Sequence, residues 1–355
     1  MVKRVCPVWF DRRLLPAWLC LSISTLVYAA ESTAVRAQQV VKVTPLGTHD
    51  GEVCAADRAF LFEDPTGVRI LYDPGRPVDD TDPRLGDVDV MLLSHAHGDH
   101  LGDRRGVRGG TCAMPAQGTA NPATNFASIA AAKRSAAFFV SIELDEFVGR
   151  KIEGIRGSAT PLCVPRGSDS ETVVPRSAPC TARVHPGGSL SVRRAGASAA
   201  VQISGVQAVH PSSIPAALVD APGMPPGISA YGGTAGGFIV QFTNGLVVYL
   251  SGDTGFFSDM ELIGRYYRPT LAVLGIGGAN QIGPSEAAFV LRSLMRPATV
   301  LPTHVAEQST QDGVVISGSK LDRFIWLVRG VTDVVVPFSG VTRSFDADGR
   351  CVGCR

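Results

Sequence analysis

The segment Val88-Asp89-Val90-Met91-Leu92-Leu93-Ser94-His95-Ala96-His97-Gly98-Asp99-His100 decides how the rest of the chain is read. Val88 to Leu93 is mostly apolar and reads as a buried strand. Beyond such a strand His95, His97 and Asp99 have the same parity, so their side chains converge on one side. Gly98 permits a turn tight enough for His100 to join them. Three imidazoles and a carboxylate within six residues make a poor core and a good metal site. The alternative is a polar loop that happens to hold histidines. Against it, the whole chain has seven His and three of them lie here.

The 355 residues suit one large or two ordinary domains, and 45% hydrophobic against 18% charged residues fits a globular protein with a sizeable core. Residues 1–37 read separately. Lys3, Arg4, Arg12 and Arg13 precede a mostly apolar run from Leu14 to Val27, followed by Ala29 and Ala30. This is the layout of a secretory signal peptide, with cleavage expected after about residue 29 or 37. An uncleaved membrane anchor is the alternative, but Pro16 interrupts the run and it is short for a span. The expectation is a periplasmic or secreted protein with no stable membrane anchor once the signal is removed. Residues 1–30 carry four basic groups and Asp11, a net +3, so a chain of +1 becomes one of −2. No basic face for nucleic acid is implied, and the expected partner is a small-molecule substrate.

Six Cys lie beyond the signal: Cys54, Cys112, Cys163, Cys180, Cys351 and Cys354. An even number in an exported chain suggests disulfides. Local pairing of Cys163 with Cys180 and of Cys351 with Cys354 is expected, which leaves Cys54 with Cys112. Other connectivities stay open, as does a redox or metal role for the terminal Cys-x-x-Cys.

Along the chain, Val40 to Val43, Ala59 to Phe62 and Val68 to Tyr72 read as short strands before the His-bearing one. Regularity weakens from Gly102 to Gly188, apart from an Ala-rich helix over 125–134 with Asn125 as its N-cap. The stretches 105–122 and 157–187 read as surface insertions stapled by disulfides. Strands resume at Ser189 to Val192 and Val201 to Val209, followed by a long loop from Pro211 to Gly237, in which Tyr231 reads as a packing residue, with contact to substrate from the loop as the alternative. A hairpin across Thr243-Asn244-Gly245 comes next. Helices over 258–266, 284–295 and 320–328 then interleave with strands at 271–274, 299–302, 331–337 and 341–345. Residues 38–355 are thus expected to form a single α/β domain, two sheets face to face with helices outside, a four-layer αββα sandwich. Four apolar strands end in candidate ligands: the 95–100 cluster, His210, Asp253 and His304.

These residues resemble the metallo-β-lactamase superfamily. His95-Ala96-His97-Gly98-Asp99-His100 is its His-x-His-x-Asp-His motif in full, and His210, Asp253 in Gly-Asp-Thr and His304 in Pro-Thr-His follow in the family's order. Phe238 to His304 is similar to the branch that holds ascorbate-6-phosphate lactonase, through Ser251-Gly252-Asp253-Thr254-Gly255, Gly275-Ile276-Gly277-Gly278, Gly283-Pro284-Ser285-Glu286-Ala287-Ala288 and Leu301-Pro302-Thr303-His304. The resemblance implies two divalent metal ions, one on His95, His97 and His210, the other on Asp99, His100 and His304, with Asp253 bridging. Nitrogen and oxygen donors suit Zn²⁺, and equally Mn²⁺ or Fe²⁺. A metal-bridging hydroxide would attack an ester, lactone or phosphodiester, with Asp99 as the catalytic carboxylate that orients it. His49 and Asp103 are possible supports of the ligands; a turn histidine and a helix-start carboxylate are the alternatives. Two other functions stay open, a β-lactamase and a non-catalytic metal-binding protein of the same fold.

Overall fold

Alternate residues of the same strand face different layers, and that sets the architecture. The computed structural model describes residues 39–106, 110–113, 118–119, 123–164, 170–219 and 227–354. The expected leader at 1–37, and parts of the stretches 105–122, 157–187 and 211–237, lie outside the described residues. In chain order the sheet strands are β1 (Val41–Leu46), β2 (Ala59–Glu63), β3 (Arg69–Tyr72), β4 (Val90–Leu93), β5 (Ala136–Phe139), β6 (Glu171–Val174), β7 (Cys180–Arg183) and β8 (Ser189–Arg194). They continue with β9 (Ala200–Gln207), β10 (Gly236–Gln241), β11 (Val247–Leu250), β12 (Leu271–Gly275), β13 (Thr299–Thr303), β14 (Asp333–Val334), β15 (Arg343–Phe345) and β16 (Cys351–Val352). One eight-stranded sheet has the order β16-β15-β1-β2-β3-β4-β5-β7, and the other β14-β13-β12-β11-β10-β9-β8-β6.

Phe60 and Phe62 of β2, Val90 and Leu92 of β4, and Phe238 and Val240 of β10 enter one core between the sheets. Their neighbours Ala59, Leu61, Met91 and Leu93 face an outer layer made by α2 (Asn125–Lys133) and α3 (Ile142–Arg156), placed after the single turn α1 (Gly98–Leu101). Ile239, Tyr249 and Leu274 face the opposite outer layer, formed by α4 (Asp259–Tyr267), α5 (Pro284–Phe289) and α6 (Lys320–Val328). Both faces of the central strands are buried, as unbroken apolar runs require. The expected four-layer αββα sandwich is the fold that forms.

Several local expectations change. Thr124, not Asn125, caps α2, its hydroxyl accepting from the Ala127 amide. Asn125 instead donates its side-chain amide to the carbonyls of Gly75, Arg76 and Arg104, tying three loops together. The stretch 157–187 is not merely a surface insertion, because it supplies an edge strand to each sheet, β6 and β7, and Val174, Cys180 and Ala182 enter the central core. Strand β5 and helix α3 lie where the sequence pattern looked weakest. The helix from Pro284 changes at Val290 to π-turns that run to Met295. The strands expected at 331–337 and 341–345 shorten to β14 and β15, which belong to different sheets. Tyr231 is largely exposed and does not pack in a core. The disulfides are Cys54–Cys112, Cys163–Cys180 and Cys351–Cys354, the pairing expected.

Phe62 joins the sheets directly, its ring 5.8 Å from that of Phe242 at the end of β10. Phe62→Ala is expected to destabilise the protein by about 3–5 kcal/mol, read as a shift of the urea unfolding midpoint without a change in slope.

Candidate metal centre

Strands β4, β9, β11 and β13 all deliver their carboxyl ends to one rim, the usual place for ligands in open α/β sheets. Leaving β4, the chain stays extended through His97, so His95 and His97 share a side. At Gly98 it enters α1, and the helical turn swings Asp99 and His100 to an adjoining position. The motif is therefore half strand-like and half helical, and parity unites His95 with His97 but not with Asp99. Ala96 and Leu101 are fully buried in the helix-side core and pin both ends of the turn. Gly98 matters through space rather than dihedral freedom. A Cβ there would lie 2.5 Å from Cγ of Asp103.

The seven expected ligands come together. Donor atoms of His95, His97 and His210 lie within 4.8 Å of one another, as do those of Asp99, His100 and His304, and those of His95, His100 and Asp253. Asp253 faces both groups: Oδ1 is 3.4 Å from Nε2 of His100, and Oδ2 is 3.4 Å from Nε2 of His304 and 3.8 Å from Nε2 of His210. The donor set is imidazole nitrogen and carboxylate oxygen, the chemistry that divalent transition metals take. Nε2 of His95 is buried and makes no hydrogen bond. An orphaned buried nitrogen costs about 1–3 kcal/mol, a penalty that ligation removes. The residues present therefore fit a metal centre.

Burial holds the rings of His95, His97, His210 and His304 below the ordinary histidine range, the free-base state a ligand needs. Burial also disfavours charge on His100, but Asp253 and Asp73 on either side outweigh it and lift that ring to about 10. Asp253 is buried and Asp99 half-buried, yet both remain ionised. The Arg58 guanidinium holds Asp99 far below the carboxylate range, and the His100 ring does the same for Asp253.

Residues the sequence reading passed over brace the ligands. Asp73, buried at the end of β3, accepts from the Ser94 amide at 2.8 Å, the Ser94 hydroxyl at 2.6 Å and Nδ1 of His100 at 2.8 Å. The Ser94 hydroxyl is also 3.0 Å from Nδ1 of His95. The Tyr72 hydroxyl accepts from the Gly252 amide at 2.9 Å, where φ is +61°, fixing the turn just before Asp253. Arg58 is the larger omission, since Nη1 donates to Oδ2 of Asp99 and lies 2.7 Å from Nε2 of His304. Asp73 had a signal, an apolar strand ending in an acid, like Asp253. Arg58 had none.

The two proposed supports are placed differently. Asp103 pairs with Arg76 through both oxygens, at 2.7 and 3.2 Å, and sits under Gly98, so it buttresses α1 without bonding a ligand. His49 lies in the turn after β1, where its carbonyl accepts from Glu52, and its ring makes no hydrogen bond with the cluster among the described residues. A cavity of about 590 Å³ between α3 and Ile214, Leu218 and Ala230 is lined by none of the seven ligands and is not the reaction site.

The profile of the Beta-lactamase superfamily domain matches residues 56–304. A UPF0173 metal-dependent hydrolase of Polaromonas sp. is 29% identical over 253 residues, covering 69% of this chain and 73% of that one. Its counterpart in Cupriavidus metallidurans is 31% identical over 220 residues, covering 62% of this chain and 58% of that one. Among solved structures, Igni18, a metallo hydrolase from Ignicoccus hospitalis, superposes with a TM-score of 0.53 at 21% identity, over 86% of this chain and 99% of that one, a likeness of fold. With its sandwich, its rim of histidines and a matching domain profile over most of its length, the chain belongs to the metallo-β-lactamase superfamily and is a metal-dependent hydrolase.

Proposed function

We propose that the protein is an exported binuclear hydrolase that cleaves a small ester, lactone or phosphodiester. The overlap of the three donor groups, with Asp253 reaching both ends, is the observation that carries this reading. His95, His97 and His210 would hold one cation, Asp99, His100 and His304 the other, with Asp253 shared. Divalent cations of the Zn²⁺, Mn²⁺ or Fe²⁺ kind supply Lewis acidity and a hydroxide nucleophile near neutral pH.

The chain's own residues do the positioning. Asp99 is the more open of the two ligand carboxylates, 28% exposed against 8% for Asp253. Ionised throughout, it accepts the hydrogen bond that aims an attacking water, and is the catalytic carboxylate of this reading. The Gly255 amide donates to the Val209 carbonyl at 2.9 Å, joining the segments that carry His210 and Asp253. Val209 and Phe256 on those segments are exposed, and Phe256 meets Phe289 edge-on at 6.1 Å. This apolar rim suits an acyl or aryl group beside the reacting bond. Export draws support from the three disulfides. No helix among the described residues is long and apolar enough to cross a membrane.

Three outcomes are expected. Metal analysis of gently purified protein finds transition metal, and a panel of lactones, aryl esters and bis-aryl phosphates includes a substrate whose turnover stops on chelation and returns with Zn²⁺, Mn²⁺ or Fe²⁺. Asp99→Asn then lowers kcat while the protein still binds metal; a protein carrying only traces of metal would refute the reading. A second outcome follows from His100. Its ring, raised above the unfolded value of about 6.5, stabilises the metal-free fold fully below that pH and loses the contribution as pH rises through about 10. A metal must displace its Nε2 proton, so loading releases that proton at neutral pH and apparent affinity rises with pH, as an indicator dye would record. Third, Asp73→Asn weakens metal affinity by about 10–100-fold, measured by competition with a chelating dye.

A further inference from the structure

Arg58 lies just before β2, and its side chain is 6% exposed. Nε donates to the Ala56 carbonyl at 3.1 Å. Nη1 donates to Oδ2 of Asp99 and stands 2.7 Å from Nε2 of His304. Those two acceptors are 3.3 Å apart. Tetrahedral donors on bonds of about 2.0–2.2 Å are separated by roughly 3.3–3.5 Å, so Oδ2 and Nε2 have the spacing of two ligands to one cation. The arginine nitrogen is in contact with both. A metal and this guanidinium cannot serve the same two atoms at once, and their like charges repel at such a distance. At the group of His95, His97 and His210 the polar neighbours are the Ser94 hydroxyl, Asp253 and the rings themselves, not a guanidinium.

We propose that Arg58 is the resident cation of the Asp99–His304 position, so that a metal enters there only by displacing it and the two metal positions load unequally. This rests on reading the seven residues as a two-cation centre. The guanidinium carries only N–H donors, so it cannot itself join a metal's ligand shell and must leave the two acceptors for a cation to take them. Displacement is open to it because Nη2 donates to none of the described residues, and the side chain can turn about its anchor at Ala56. The His95–His97–His210 position fills first. The second fills at higher metal activity and frees a guanidinium beside the cleft, where it can pair with an anionic group of the substrate. Charge-assisted bonds of this kind weaken a competitor by about 10- to 100-fold.

The test is a calorimetric titration of the metal-stripped full chain with Zn²⁺, repeated with Co²⁺ while its visible absorption is followed. The expected result is one tight equivalent and a second that is 10- to 100-fold weaker. Arg58→Ala, and independently Arg58→Gln, should tighten the second equivalent toward the first and leave the first unchanged. An unchanged first equivalent also shows that the variant is folded. Two equivalents of equal affinity in the natural protein would overturn the proposal, even if neither variant folds. A gap that survives both substitutions would overturn it as well. Failure of the natural protein and both variants to take up any metal would instead sink the two-cation reading itself.

Discussion

One buried carboxylate, that of Asp73, holds the centre together. It accepts from the Ser94 amide, the Ser94 hydroxyl and His100, and so locks the end of β3 to the exit of β4. Its backbone takes φ +39°, a conformation few side chains adopt, and the three donors repay that strain. The same contact decides which nitrogen of His100 faces the rim. With Nδ1 engaged by Asp73, Nε2 is left to point at Asp253 and the neighbouring histidines. Ligand orientation here is a property of the sheet, since the carboxylate that sets it belongs to a strand end.

The rim works because it is built where rigid elements stop. His210, Asp253 and His304 stand three, three and one residues beyond β9, β11 and β13. Each exit is tied to another element: Val209 to Thr254, Ser251 to Val273, and Ile276 to Thr303. Backbone freedom at these positions is small, so donors from four distant parts of the sequence converge without long loops. The outlying Arg58 breaks the pattern. It adds a guanidinium to a cluster whose other cation is the His100 ring, and Asp99 answers to it as well as to His304.

Much of this was legible in the residues. Strands such as β2, β3 and β11 were visible because they are apolar on both faces, and the ligands because each follows such a run. Helix α6 is legible at both ends, since Ser319 caps it and Leu321, Phe324 and Val328 repeat along one face. What escaped had weaker local signals. Helix α3 is rich in charge, and only Leu144, Val148 and Ile152 mark its buried side. Strands β6 and β7 sit among Pro and Ser, and gain their burial from partners distant in sequence. Arg58 could not be found, because its partners lie 41 and 246 positions away and nothing near it in the chain distinguishes it from a surface arginine.

The seam between β1 and β15 has a kinetic consequence. Thr44 and Thr342 hydrogen-bond across it from positions 298 residues apart, and Val41 pairs with Phe345. One flank of the first sheet therefore stays open until a segment made much later arrives to cover it. Loop closure over such a span is slow and must precede the contacts that reward it. During that interval an apolar strand with unpaired amides is exposed. A chain built this way depends on whatever shields that flank in the time between synthesis of its two halves.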